Sequence, residues 1–378
     1  MDRRIWLLTG AQFAAATGAY AFTGLIARMA EDLGVSLATA GQLAAFYALT
    51  FALAGPPIAA ATARLDRRWL LTVGLGLVGL LNLLTAAVPD FGTALGLRVV
   101  TALAAALVLP AVAASMLVPP EQRGRAIATV MAGLTLAFSL GIPLGTAIGG
   151  MVGWRGTFLF SGVLAGVAAL AVRIGLPPLP STDRGGAGSL GIALKPAVLA
   201  VLGTSFLAFA GLFCIAAYLG PIVTATTGIE GSGIGAVQVF VGLGSLVGIG
   251  LGGRMAERRG PGLPVVLYIV LALALVGYSA LLAAPAAFWH VGPLCLLVFL
   301  GSASLFALAP MVQARLMGLA PQDRSVALAL NGAVILAGQG VGAGYGGLVL
   351  ATGGLAWTGL AGAMLALAGA VLARRAFR

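Results

Sequence analysis

The stretch LGIPLGTAIGG, residues 140–150, decides how the whole chain is read. Gly141, Gly145, Gly149, Gly150 and Pro143 interrupt an otherwise apolar run, although in water glycine costs about 1 kcal/mol and proline about 3 kcal/mol inside a helix relative to alanine. Lipid changes that balance. Helices there gain little from hydrophobicity, and small residues spaced four apart stack on one face and let two backbones approach closely. Pro143 removes one backbone hydrogen bond and predicts a bend, tolerable where neighbours re-satisfy the freed group. The stretch therefore reads as a membrane helix with a smooth packing stripe.

The rest of the 378 residues agree: 60% are hydrophobic and 8% are charged, against roughly 25% charged in a soluble domain. Runs such as 69–88, 265–284 and 355–373 approach the roughly 20 residues a helix needs to cross a bilayer. The apolar runs predict twelve spans: 5–27, 37–62, 69–88, 93–118, 126–152, 156–176, 196–224, 234–253, 265–284, 291–318, 325–350 and 355–373. Strict apolar–polar alternation is absent, which argues against a membrane β-barrel. The first run is long for a signal peptide and ends without an A-x-A site, so it is expected to stay in the membrane.

A net charge of +11 would suit a nucleic-acid partner if it were gathered on one surface. Instead it recurs in every second loop: Arg3 and Arg4; Arg64, Arg67 and Arg68; Arg123 and Arg125; Arg173, Arg184 and Lys195; Arg254, Arg258 and Arg259; Arg315 and Arg324; Arg374, Arg375 and Arg378. Only Arg28, Arg98 and Arg155 fall elsewhere. The positive-inside rule then places both termini in the cytoplasm and makes the span number even. No nucleic-acid partner is expected.

The most polar interspan segment, PPLPSTDRGGAGSLGIALK at 177–195, reads as a linker between residues 1–176 and 196–378, six spans each. The two sets echo one another. Pro110 in LVLPAVAA recurs as Pro310 in FALAPMVQA, and PEQRGRA (120–126) as PQDRSVA (321–327). Gly141, Gly145, Gly149 and Gly150 recur as Gly338, Gly342, Gly346 and Gly347, and RLDRR (64–68) matches RMAERR (254–259). Paired six-helix repeats are the plan of transporters that bind at the midplane and rock one half against the other. On that plan the two glycine stripes are expected to let the halves slide and seal, with ordinary tight packing as the alternative.

Four stretches carry a resemblance to a known family. GLTLAFSLGIPLGTAIGGMVGWRGTF (133–158) resembles the antiporter motif of drug/proton antiporters in the major facilitator superfamily, with its following pair Trp154 and Arg155. GGRMAERRG (252–260) resembles the loop motif G-x-L-A-D-R-x-G, Glu257 standing for the aspartate. ALGLRVVTALAAAL (94–107) resembles the fourth-span motif with its arginine, Arg98. Residues 16–49 are similar to the first two spans of the branch that holds sugar, nucleoside and chloramphenicol exporters. The resemblance implies an all-α membrane fold of twelve helices in two pseudo-symmetric bundles and rocker-switch alternating access. It implies a cavity lined by the first, fourth, seventh and tenth spans, and a latch by Arg254, Glu257 and Arg258. Two positions depart from the pattern: Ala19 stands where that branch often has an acid, and the first loop motif has Thr62 near its aspartate position, with Asp66 displaced into the loop.

Of the ten carboxylates, Asp2, Asp66, Glu121, Asp183, Glu257 and Asp323 map to the cytoplasmic side and Glu31, Asp32, Asp90 and Glu230 to the outer side, so the usual intramembrane proton relay is missing and protons stay an open partner. The one histidine, His290, reads as an interfacial residue beside Trp289. Arg98 is the one charge inside a span. It either snorkels outward toward Asp90 or faces the cavity, where it would bind an anionic or hydroxyl-rich ligand or respond to protonation elsewhere. Neutral polar candidates for the cavity are Gln12, Thr17, Tyr20, Thr23, Thr101, Ser115, Thr204, Ser205, Tyr218, Ser302, Ser304 and Gln313, with Phe13, Phe22, Phe206, Phe209 and Phe213 as aromatic walls. Gln42, Asn82, Gln238, Asn331 and Gln339 are further amides within spans, with hydrogen bonding between helices as their alternative. Gly141, Pro143, Gly145, Gly149, Gly338, Gly342 and Gly346 are the hinge candidates. Cys214 and Cys295 lie in spans and read as small apolar residues. No metal, cofactor or enzymatic activity is expected, since no nucleophile, base or metal set converges, and a monomer is expected to suffice. The acid-free cavity suits a neutral, amphiphilic or anionic small molecule.

Overall fold

The computed structural model describes residues 2–180, 195–256, 262–321 and 323–378, and among these it is helical with no strand. Sixteen α-helices follow in order: α1 (Arg3–Tyr20), α2 (Ile26–Asp32), α3 (Leu37–Ala61), α4 (Arg67–Thr85), α5 (Phe91–Ala105), α6 (Pro110–Met116), α7 (Arg123–Leu136), α8 (Ile142–Val152), α9 (Trp154–Gly175), α10 (Pro196–Ala216), α11 (Leu219–Thr227), α12 (Gly233–Met255), α13 (Gly262–Ala283), α14 (Val291–Leu319), α15 (Arg324–Gly353) and α16 (Leu355–Ala376). Eleven segments are long and apolar enough to cross a membrane, taking α5 with α6 and α7 with α8 as single spans. The twelfth is the first span, which is not one helix. α1 opens on two arginines and stops at Tyr20, a 3-10 turn occupies Ala21–Leu25, and α2 carries the chain onward.

Local chemistry sets the ends. The side chains of Asp2, Ser36, Asp66 and Asp90 accept from backbone N–H groups of the first turns of α1, α3, α4 and α5, satisfying donors that a helix leaves orphaned. Gly153 (φ 90°) and Gly354 (φ 86°) alone connect α8 to α9 and α15 to α16. Both hold a left-handed backbone that a side chain would oppose. Asp66, displaced from its family position, ties the chain after α9 to α4: it accepts from Trp69 N (2.9 Å) and from Leu179 N (2.6 Å).

The same packing partners recur in each set of spans. α4 lies on α9 as α13 lies on α16, α3 on α5 as α12 on α14, and α1 on α7 and α9 as α10 on α15 and α16. Leu159, Val163, Val167, Leu170 and Ile174 make an exposed stripe on α9, and Leu360, Met364, Leu367 and Val371 one on α16. Their spacing of three to four residues is one helical face, the face turned to lipid.

The bend expected at Pro143 takes a specific form. Residues Ala137–Gly141 form a π turn between α7 and α8, an arrangement that adds one residue to the turn and keeps the ring of Pro143 off the carbonyl four positions earlier. The glycine stripes correct the expected seam. A methyl group at Gly141, Gly145 or Gly149 would meet Thr17, Ala21 or Leu25 of the first span; at Gly338, Gly342 or Gly346 it would meet the backbone of Phe206, Ala210 or Cys214 in α10. These six therefore press helices of one set together, and only the last glycine of each stripe, Gly150 and Gly347, faces the other set.

That boundary has glycines of its own. On α15, Gly340 and Gly347 approach Ala45, Leu49 and Ala38 of α3; on α12, Gly235 and Gly242 approach Pro143 and Ser139; Gly150 meets Gly231 and Ser232, and Gly220 meets the Gly24 carbonyl. Among the described residues these approaches all lie in the half of the helices nearer Gly228, so the two sets are shut at that end.

Candidate functional site

The break in the first span creates the site. The last carbonyls of an α-helix lack intrahelical partners, and here Arg98, projecting from α5 and 0% exposed, takes two of them. Its Nη1 donates to Gly18 O (3.1 Å) and its Nη2 to Ala19 O (2.6 Å). The planar guanidinium lies over the rings of Tyr47 (4.4 Å) and Phe22 (4.7 Å), a cation–π environment suited to arginine. Neither expected placement holds. Arg98 does not snorkel, and Asp90 is engaged with Thr93 as the cap of α5; nor does Arg98 reach the cavity. A positive charge at the negative end of a helix dipole is held there by backbone carbonyls and aromatic faces, where a short helix break offered acceptors that no sequence spacing announces.

Tyr20, the residue at the break, points the other way, toward the second set of spans. Its hydroxyl donates to Gln339 Oε1 of α15. Its ring stacks on Phe138 (5.9 Å, 24°) and meets Phe213 edge-on (6.1 Å), while Phe138 meets Phe306 (5.6 Å) and Phe213 leans on Phe209 (6.4 Å). Five rings from α1, the π turn, α10 and α14 thus meet at mid-height between the sets. Beside them lies a cavity of about 50 Å³ whose lining includes Tyr20, Thr23, Phe138, Phe213 and Gln238.

Of the other candidates, Tyr218, at the end of the α10 run and in the place that Tyr20 holds in the first set, is buried; its hydroxyl donates to Ala343 O (3.2 Å) beside Gly41 and Gly347. Ser205 donates to Asn331 (2.6 Å). Thr101 and Thr204 spend their hydroxyls on the carbonyls of Leu97 and Val201. Thr17 is buried against Gly141 with its hydroxyl unpaired, Ser302 is buried beside Gly244, Gln12 packs near Gly133 and Gln313 is exposed. Of the neutral polar candidates, Tyr20 and Thr23 line the cavity. Phe22 backs Arg98 instead of walling the cavity, Phe206 lends its backbone to Gly338, and Phe13 sits beside Gly133. Phe138 and Phe306 carry no signal in the sequence, because the π turn and the closure of the two sets bring them in, whereas Gln238 and Gln339 stand out there only as amides within spans. Arg254 is exposed at the end of α12; Glu257 and Arg258 lie outside the described residues.

At the closed end Asp32 ends α2. It accepts from Trp154 Nε1 (2.9 Å) and pairs with Arg155, which also donates to Val88 O (3.2 Å) and covers the Trp154 ring. A shallow cleft of about 300 Å³ opens here, lined by these residues and Arg28. The hydrogen bond from Arg155, then that from Trp154, holds the Asp32 carboxyl below the ordinary carboxylate range. A depressed folded-state value makes the contribution to stability full above the unfolded value near 4 and lost as pH falls through the folded one. Asp32→Asn is therefore expected to lower the thermal midpoint at pH 7 and to match the parent once the medium is acid enough to protonate Asp32; a gap that persists unchanged at pH 3 contradicts the clasp. His290 is not at the surface: its ring is buried under Trp289, with Nδ1 3.0 Å from Thr226 O.

Comparison with known proteins agrees with this architecture. The chain is 30% identical over 386 residues to YbcL, an uncharacterized MFS-type transporter of Bacillus subtilis, covering 98% of this chain and 95% of that one. It is 32% identical to a chloramphenicol resistance protein of Streptomyces lividans, covering 93% and 89%. Its fold matches the crystal structure of a bacterial homolog of the human lysosomal transporter Spinster with a TM-score of 0.80, at 17% identity and over 98% and 96% of the two chains. The family profile of the Major Facilitator Superfamily matches residues 8–309. With two sets of spans packed alike, closed on each other at one end and meeting in a ring of aromatic side chains, the chain belongs to the Major Facilitator Superfamily of membrane transporters.

Proposed function

We propose that the protein exports a small organic solute, sugar, nucleoside or drug-like, across the bacterial inner membrane by rocker-switch alternating access. Residues 1–176 and 196–378 act as the two rocking bundles, 177–195 as the linker, and one chain suffices. The observation that carries this reading is the contact between the sets: glycine seams shut one end, and Tyr20 joins Gln339 across the middle beside a small cavity. The loop arginines orient the molecule with both termini in the cytoplasm, which makes the shut end periplasmic and the state inward-facing. Tyr20, Thr23 and Gln238 are the residues placed to touch solute, and Arg98 is a positioning residue that holds the break from which Tyr20 projects. Arg254, Glu257 and Arg258 keep the latch role implied by their loop motif.

A second reading concerns the energy source. Among the described residues no carboxylate lies within the body of a span, so the bundle lacks the intramembrane acid on which proton exchange ordinarily turns. Transport without proton coupling, in either direction along the solute gradient, follows. The test is purified protein in proteoliposomes loaded with chloramphenicol, to which a relative is named as giving resistance, or with arabinose or uridine. Solute-specific flux above empty vesicles is expected, with the same rate with and without an imposed pH gradient. Flux that needs the gradient removes the second reading, and absence of flux for every solute removes the first.

A further inference from the structure

Gln238 is 2% exposed, and its Oε1, buried in the cavity wall, has no hydrogen-bond donor. The two other lining residues with a side-chain donor, Tyr20 and Thr23, give their hydroxyls to Gln339 and to the Tyr20 carbonyl, and the rest of the lining is apolar. An unpaired buried amide oxygen is costly, and a packed helix interior would be better served by leucine. Opposite it stand the stacked pair Tyr20 and Phe138 and the ring of Phe213. No charged residue lines the space, and the cation beneath, Arg98, is shielded by Tyr47 and Phe22.

Resting on the transporter reading above, we propose that this site selects neutral aromatic solutes carrying an O–H or N–H donor. The ring of the solute lies against Tyr20, Phe138 and Phe213, and its donor completes Gln238 Oε1. At about 50 Å³ the cavity holds one or two waters, at roughly 30 Å³ each, and no organic solute. Entry therefore requires parting Tyr20 from Gln339, which frees a hydroxyl donor on one side and an amide acceptor on the other for the same ligand. A cation finds ring faces here but no carboxylate to offset its desolvation, and a sugar brings donors but no ring to lie against Tyr20, Phe138 and Phe213.

The full chain in lipid nanodiscs tests this by calorimetric titration with 4-hydroxybenzamide, its donor-free counterpart N,N-dimethyl-4-methoxybenzamide, chloramphenicol, arabinose and tetraphenylphosphonium. The donor-bearing aromatics are expected to bind, with the donor-free analogue about tenfold weaker, the scale of one or two neutral hydrogen bonds. Gln238→Leu is expected to erase that tenfold preference and at the same time raise the thermal midpoint, because it deletes an unpaired polar atom; a purely structural glutamine would lower it. Binding of arabinose or tetraphenylphosphonium in preference to the aromatics, no binding of any neutral aromatic, an undiminished preference in Gln238→Leu, or a lowered midpoint each overturn the proposal. Transport of arabinose in vesicles alongside any of these leaves the exporter reading standing, whereas loss of all vesicle transport removes that reading while the titration still decides this one.

Discussion

Arg98→Leu is expected to reduce transport by at least about tenfold and to lower the thermal midpoint, while Arg98→Lys keeps an intermediate activity. The carbonyls of Gly18 and Ala19 lose their charged donor, and a buried polar group without its partner costs about 1–3 kcal/mol. Leucine also leaves unfilled the plane between Tyr47 and Phe22. Lysine retains the charge but not the fork that reaches two carbonyls at once. The first span then lacks what fixes its break, and Tyr20 loses its aim at Gln339. Solute flux per folded protein is the measurement. Leucine at position 98 with parental flux would show that the break holds itself and that Arg98 has no part in transport.

The second large effect separates two kinds of glycine on one helix. Gly342→Val forces a side chain into the Ala210 backbone of α10, inside one set of spans, so it is expected to cost 1–3 kcal/mol or more of stability and to yield little folded protein. Gly340→Val meets Leu49 and Ala45 of α3, across the seam. It is expected to fold and to move the population toward the form open at the Gly228 end by roughly 5–150-fold, the same energy spent on a conformational balance. Spin labels at the exposed Ser36 and Thr352, on a background with Cys214 and Cys295 replaced, read that distance. Equal folding defects in both variants would mean that the seam and the bundle interior are one continuous core.

The fold was legible in the sequence because its signals are local. Span length, the alternation of basic loops and the echo of Gly141–Gly145–Gly149 in Gly338–Gly342–Gly346 need no knowledge of what touches what. The site was legible only in part. Tyr20 stands out as a polar ring in an apolar run, but the partner of Arg98 is backbone, and carbonyl acceptors exposed by a helix break have no residue code. The four-residue glycine spacing announces close approach without naming the neighbour, which is why those stripes proved to lie within each set while Gly340 and Gly347, off the regular spacing, form the boundary. Phe138 and Ser139 reach the centre because a π turn rotates them there, and a periodicity of 3.6 does not anticipate it.

The two boundaries between the sets are built from unlike materials. On one side α15 runs unbroken through thirty residues against α3; on the other the facing element of α12 is interrupted by the five-residue π turn ahead of Pro143. A continuous rod resists flexing, and a π turn with a proline beside it yields. Deformation during a transport cycle therefore concentrates on one flank, and the molecule moves as a door on its jamb does, with a stiff post and a compliant leaf.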